Sequence, residues 1–97
     1  MSYEIFIEKK VGKFLKNIEK KQKRQSEKIL FFLHNILKNS SDPCSLPNAK
    51  KLQGFMDNRY RWRLGDYRII GRIENNAFKI IQIIKITKRD DSTYRGL

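Results

Sequence analysis

A single cysteine, Cys44, stands in this chain, so no disulfide can close within it and no metal site built on several thiolates is available. Histidine is as scarce: His34 is alone, which rules out a pair of histidines sharing acid and base roles. Acids are few. Ten Asp and Glu stand against 22 Lys and Arg, and they are scattered without a carboxylate pair or a metal-ligand spacing. Metal-dependent hydrolysis is therefore not expected, and neither metal nor other cofactor is called for. Long apolar runs are missing too. The Ile-rich stretch near the C-terminus is broken by Gln82 and Lys85, far short of a membrane span. The opening "MSYEIFIEKK" has no apolar core of signal-peptide length. These absences favour a reducing, cytoplasmic setting without a membrane.

What is present in excess is positive charge, a formal net +12 on 97 residues. Self-repulsion on that scale costs stability and favours a polyanionic partner, either nucleic acid or an acidic protein. The length suits one domain, 1–97, with one modest core. Hydrophobic content of 39% is enough for a globular fold and argues against disorder.

Periodicity divides the chain. "SYEIFI" (2–7) alternates as a short strand with Tyr3, Ile5 and Ile7 on one face. Val11, Phe14, Leu15 and Ile18 then form the stripe of an amphipathic helix, and a second helix is predicted from about Gln22 to Lys38. Its stripe is Ile29, Phe32, Leu33, Ile36 and Leu37, widened by Leu30 and Phe31. Both prolines, Pro43 and Pro47, fall in "NSSDPCSLPNA" (39–49), a loop. Strands are predicted at 59–64, 67–73 and 77–87, joined by a Gly65-Asp66 turn and an Asn75-Asn76 turn. The order β-α-α-β-β-β indicates an α+β fold, with two N-terminal helices packed on one face of a mainly antiparallel sheet.

The Gly65-Asp66 turn sets a register in which Arg63 faces Arg68, Trp62 faces Ile69, Arg61 faces Ile70 and Arg59 faces Arg72. Side chains alternate between faces. Tyr60, Trp62, Leu64, Tyr67, Ile69 and Ile73 meet the helices, while Arg59, Arg61, Arg63, Arg68 and Arg72 gather on the opposite face with Ile70. Continued through an Asn75-Asn76 turn, the same alternation sends Phe78, Ile80 and Ile84 to the core and Lys79, Lys85 and Arg89 to the cationic face. It also places Gln82 in the core and Ile81 and Ile83 among the cations. A bulge would account for the first, and a partner covering that face for the second. Like charges opposed across strands destabilise a sheet, and only Asp66 lies near in sequence to offset them. Arginine stems can simply cover apolar surface, but several forks converging on one face suit phosphate oxygens. Nucleic-acid binding is the expectation, with phosphodiester chemistry as its extension.

Elsewhere the chemistry is thin. His34 reads as a packed or surface helix residue, and Cys44 as a spectator thiol in the loop. The basic run "KKQKR" (20–24) reads as a solvated helix face. In the tail "KRDDSTYRGL" (88–97), Tyr94 suits either packing on the sheet edge or contact with an unpaired base.

"KKLQG" (50–54), "RYRWRLGDYRII" (59–70) and "IIKITKRDDSTYR" (83–95) together resemble the RelE/ParE superfamily of bacterial toxins from toxin–antitoxin pairs. The resemblance implies a RelE-type endoribonuclease that cleaves messenger RNA at the ribosome and is neutralised by an acidic antitoxin. A ParE-type inhibitor of DNA gyrase is the alternative, as is a relative that binds RNA or antitoxin without catalysis. On the RelE pattern the catalytic group would be Arg61, Arg63, Arg68, Arg89 and Tyr94. Arg59, Arg72, Lys79, Lys85 and Lys88 would bind RNA around it, and Lys20, Lys21, Lys23 and Arg24 would contact ribosomal RNA. Arg61 and Arg63 stand where the RelE pattern has lysines, and Lys88 where many relatives have histidine. Arginine stays protonated and is a poor general base.

Overall fold

In the computed structural model, residues 3–54, 57–75 and 79–88 are described. Strand β1 (Glu4–Ile7) leads into helices α1 (Lys9–Lys21) and α2 (Lys23–Phe31), and α2 continues as π-helical turns over Phe32–Leu37. After a 3₁₀ turn at Pro43–Ser45 come β2 (Ala49–Lys51), β3 (Arg59–Leu64), β4 (Tyr67–Asn75) and β5 (Lys79–Lys88). The sheet order is β1-β5-β4-β3-β2, with β1 parallel to β5 and every other pair antiparallel. This is the α+β arrangement expected, with one short strand, β2, added from within the basic "KK" of residues 50–51.

Helix α1 buries Val11, Leu15 and Ile18 at the spacing that defines its stripe. Lys20 and Lys21 in its last turn sit favourably at the negative end of the helix dipole. Along α2 the buried set is Ile29, then Phe32, Leu33 and Leu37 in the π-helical turns. Ile36, expected in the stripe, is instead 42% exposed, as is Phe31 at 59%. The wider π turns carry more residues per revolution than an α-helix, so the inward face advances to Leu37 and leaves Ile36 outside.

The helices close over Trp62, Ile69, Ile73, Ile81, Ile83 and Ile86. Trp62 is fully buried, and its indole nitrogen donates to the Pro43 carbonyl at 3.1 Å, which ties the 3₁₀ turn to the sheet. Gly71 makes room for it: a Cβ there would stand 2.9 Å from Trp62 Cζ3. The β3–β4 turn places Gly65 at φ +58°, a left-handed conformation that glycine adopts without steric cost.

The β4–β5 register departs from expectation. Asn75 pairs with Lys79, so the connection covers 76–78 and is longer than the two-residue Asn75-Asn76 turn; Ile73 consequently pairs with Ile81. The displacement from the Phe78 partner is odd, which turns every side chain of the first half of β5 to the other face. Ile81 and Ile83 therefore belong to the core and need no partner to cover them, while Gln82 lies outside opposite Arg72. A bulge follows, because Ile70 pairs with Lys85 but Gly71 with Ile83. The extra residue, Ile84, joins Ile70 and Leu52 in a small buried cluster on the face away from the helices. Phe78 lies outside the described residues.

Candidate nucleic-acid interface

The β3–β4 ladder has the register that its turn dictates: Arg59 opposite Arg72, Arg61 opposite Ile70 and Arg63 opposite Arg68. All five arginines thus project from one face, on two adjacent strands of a continuous sheet. Below them, Ile70, Ile84 and Leu52 are buried although, among the described residues, no helix is packed over this cluster. The arginines share this face with that cluster, and their burial differs: Arg61 is buried, Arg59, Arg68 and Arg72 are half-buried, and Arg63 is exposed.

Arg61 is the most deeply set of the five. Only 9% of it is exposed, and its Nε has no hydrogen-bond partner. Among the described residues neither Arg61 nor Arg63 forms an ion pair. A guanidinium remains charged, so this is a buried cation lacking a carboxylate, an arrangement that costs stability in the free protein. Arg63 is exposed at the same end, and Arg68 across from it is half-buried. Arg61 and Arg63 line a concavity of about 510 Å³ with Pro47, Asn48, Ala49 and Gly65. Asn48 fixes one wall: the Arg63 amide donates to its backbone carbonyl at 3.0 Å, and its side-chain amide donates to the Arg63 carbonyl at 2.8 Å. Lys50 pairs opposite Arg61 in the β2–β3 ladder and shares its face.

At the other end of the ladder the charges are answered from within the protein. Asp57 accepts from Arg59 Nε at 2.8 Å and from Arg72 Nη1 at 3.4 Å. Gln82 accepts from Arg72 Nη2 at 2.6 Å and passes its amide to Glu8 at 3.2 Å. Partial burial pushes the Asp57 carboxyl up, but its hydrogen bonds and attraction to Arg59 and Arg72 outweigh this and hold it below the ordinary carboxylate value. Asp57 escaped the sequence reading, which looked for offsetting acids only at the hairpin turn. Its i, i+2 relation to Arg59 was the available signal. Asn48 and Lys50 escaped it because residues 39–49 read as plain loop and β2 was not foreseen.

Of the remaining expected contacts, Lys85 lies on the arginine face opposite Ile70, and Thr87 lies opposite Arg68. Lys79 does not join them. It shares the helix-side alternation of Ile81, with its ammonium 5.8 Å from the Tyr3 ring centroid. Lys88 pairs with Tyr67 and lines a hollow with Phe14, Ile18 and Gln22, also on the helix side. Arg89 and Tyr94 lie outside the described residues. Lys20, Lys21, Lys23 and Arg24 are all exposed around the α1–α2 junction. His34 is exposed. Cys44 is half-buried, and hydrogen bonding to it, together with burial, raises the Tyr60 phenol above its ordinary value. Among the described residues no three His, Cys, Asp or Glu side chains come together as a metal site, and no helix is long and apolar enough to cross a membrane.

Neither a family model nor a curated protein matches the chain. Solved structures do. The archaeal RelE–RelB complex from Pyrococcus horikoshii OT3 contains a chain 35% identical to this one, superposing with a TM-score of 0.73 over 93% of this chain and 98% of that one. The RelBE2 toxin–antitoxin complex from Mycobacterium tuberculosis is similar in fold, with a TM-score of 0.73 at 18% identity over 92% of this chain and 100% of its counterpart.

Proposed function

This chain belongs to the RelE family of toxins, and on that premise we propose that it is an endoribonuclease that cuts messenger RNA on the ribosome, in the cytoplasm, until an acidic antitoxin covers its arginine face. The observation that carries the reading is the convergence of Arg61, Arg63 and Arg68 on one sheet face, with Arg61 buried and lacking an ion pair among the described residues. A charge held at such cost suits a polyanionic ligand that supplies the missing partner.

Cleavage proceeds by attack of a ribose 2′-oxygen on the adjacent phosphorus. The P–O5′ bond breaks, a 2′,3′-cyclic phosphate forms, and the leaving 5′-oxygen takes up a proton to become a 5′-hydroxyl. Arg68 lies over the reacting phosphate and stabilises the charge that builds on its non-bridging oxygens. Arg61 and Arg63 hold the strand so that the 2′-oxygen is in line, and alignment of this kind accounts for a large share of the rate. None of these arginines accepts the 2′-proton efficiently. Water or an RNA group takes it, which fits a toxin that works inside the ribosome. Arg89 and Tyr94 enter from the family resemblance alone, as a second phosphate ligand and a stacking partner for a nucleotide. The expected antitoxin follows from the RelB partner of the Pyrococcus horikoshii complex and from the net charge of +12.

The test is expression of the wild type beside Arg68→Ala, with circular dichroism to confirm that the variant folds. Growth arrest and message cleavage should be lost in the variant. Cleavage undiminished by the substitution would remove Arg68 from the mechanism. Intact messages with blocked gyrase supercoiling would place the toxin with the ParE type, and harmless expression with RNA still bound would mark a non-catalytic relative.

A further inference from the structure

Two like-charged pairs cross the β3–β4 ladder, Arg63 with Arg68 and Arg59 with Arg72. They lie four residues apart along β4, roughly 13 Å at the rise of a strand. No single phosphodiester can reach both pairs. At the Arg59–Arg72 pair a carboxylate already sits where a phosphate would fit. Each oxygen of Asp57 meets a different guanidinium, at 2.8 and 3.4 Å, as two oxygens of a phosphate would. Arg72 keeps a buried Nε without a partner even so. Beside the fork, a concavity of about 360 Å³ extends toward the start of α1, with Lys10, Lys85 and Glu8 on its walls. Glu8 is engaged with Lys10 at 3.9 Å and with Gln82. Among the described residues around it, Arg59, Arg72, Lys10 and Lys85 thus stand with two carboxylates, Asp57 and Glu8.

We propose that the Arg59–Arg72 fork is a second phosphate site, taking a flanking phosphodiester of the same single-stranded RNA, and that Asp57 is its built-in occupant, displaced when RNA binds. The proposal rests on the RNA-cleaving reading above and adds to it the length of strand held. Asp57 answers two needs at once. In the free protein it relieves the repulsion between opposed arginines, which would otherwise weaken the sheet. In the complex it is a competitor, so the fork contributes less affinity than two open guanidiniums would. As a carboxylate it is charged, and hence competing, at neutral pH, and its contacts with Arg59 and Arg72 hold it charged further into acid than an ordinary aspartate.

The experiment compares wild type with Asp57→Asn for binding of a fluorescent 2′-O-methyl oligoribonucleotide of eight residues, which cannot be cleaved, over a salt series. The substitution removes the charge and keeps an acceptor for Arg59. The variant should bind several-fold tighter, because no carboxylate has to be displaced, while the log–log salt slope stays that of the wild type, the same phosphates being neutralised in both. A dinucleotide with one phosphate should bind both proteins equally. Equal or weaker binding of the octamer by the variant, with wild type still binding, would overturn the second site and leave the cleavage reading standing. A wild type that neither binds the octamer nor cuts message would overturn both. A readout on the wild type alone covers a variant that fails to fold: the Arg59 and Arg72 Nε–Hε resonances should move on adding the octamer and stay put with the dinucleotide, and resonances unmoved by the octamer would refute the site.

Discussion

Arg63 stands directly across the β3–β4 ladder from Arg68, two like charges on the same sheet face beside the hairpin turn. A strand pair selected for stability alone would not oppose them. Replacing Arg63 with Gln should therefore stabilise the protein by about 0.2–1 kcal/mol while lowering RNA cleavage. Urea denaturation and a cleavage assay on the same preparation check the two signs together, and a loss of stability would show that Arg63 packs for structure instead.

The same logic is sharper at Arg61, which is buried, charged and lacks an ion pair among the described residues. Methionine has a similar length and can lie over Ile70. Arg61→Met should raise stability by about 1–3 kcal/mol, in the manner of buried charges replaced by apolar groups. It should reduce cleavage sharply. Opposite movements of midpoint and activity are the expected outcome. Parallel loss of both would contradict a ligand-binding role.

Gly71 tests the core beneath the site. An added methyl there meets Trp62 Cζ3 at 2.9 Å and Ile81 Cγ2 at 3.2 Å. Both neighbours are fully buried, so neither can yield easily. Gly71→Ala should cost about 1–3 kcal/mol by overpacking, measured as a lower denaturation midpoint.

The Asp57 contacts predict the acid limb of stability. The carboxyl lies below its ordinary value in the folded chain, so its contribution is fully present above that ordinary value and is lost as pH falls through the folded one. Wild type should therefore lose stability over this acidic window more than Asp57→Asn does. Thermal melts of both proteins from neutral to strongly acidic pH provide the comparison, and curves that remain parallel would show that the pairs carry no folding energy.

The legible part of this fold is the part governed by local turn chemistry. Gly65-Asp66 allows one tight hairpin, and from it follows every pairing from Arg59–Arg72 to Leu64–Tyr67, with all five arginines on one face. The next hairpin was misread because "ENNA" looks like a two-residue turn. The connection is longer, and a bulge at Ile84 then reverses the alternation again, so that Lys85 returns to the arginine face while Lys79 does not. Short β2 has too few residues for any period to show, which hid Lys50. Ile36 was misassigned because π-helical turns cannot be told from α-helical ones by apolar spacing. Asp57 shows the wider limit: a loop acid reaches the arginines through three-dimensional folding, and only its closeness to Arg59 in sequence hinted at it.

The most direct test of the arginine face as an RNA-cleaving surface is the mapping of transcript 5′ ends within minutes of inducing the wild type and Arg68→Ala. New 5′-hydroxyl ends inside coding regions in the wild type, absent from a folded variant, are the predicted result. Uncut messages in cells arrested by the wild type would contradict it.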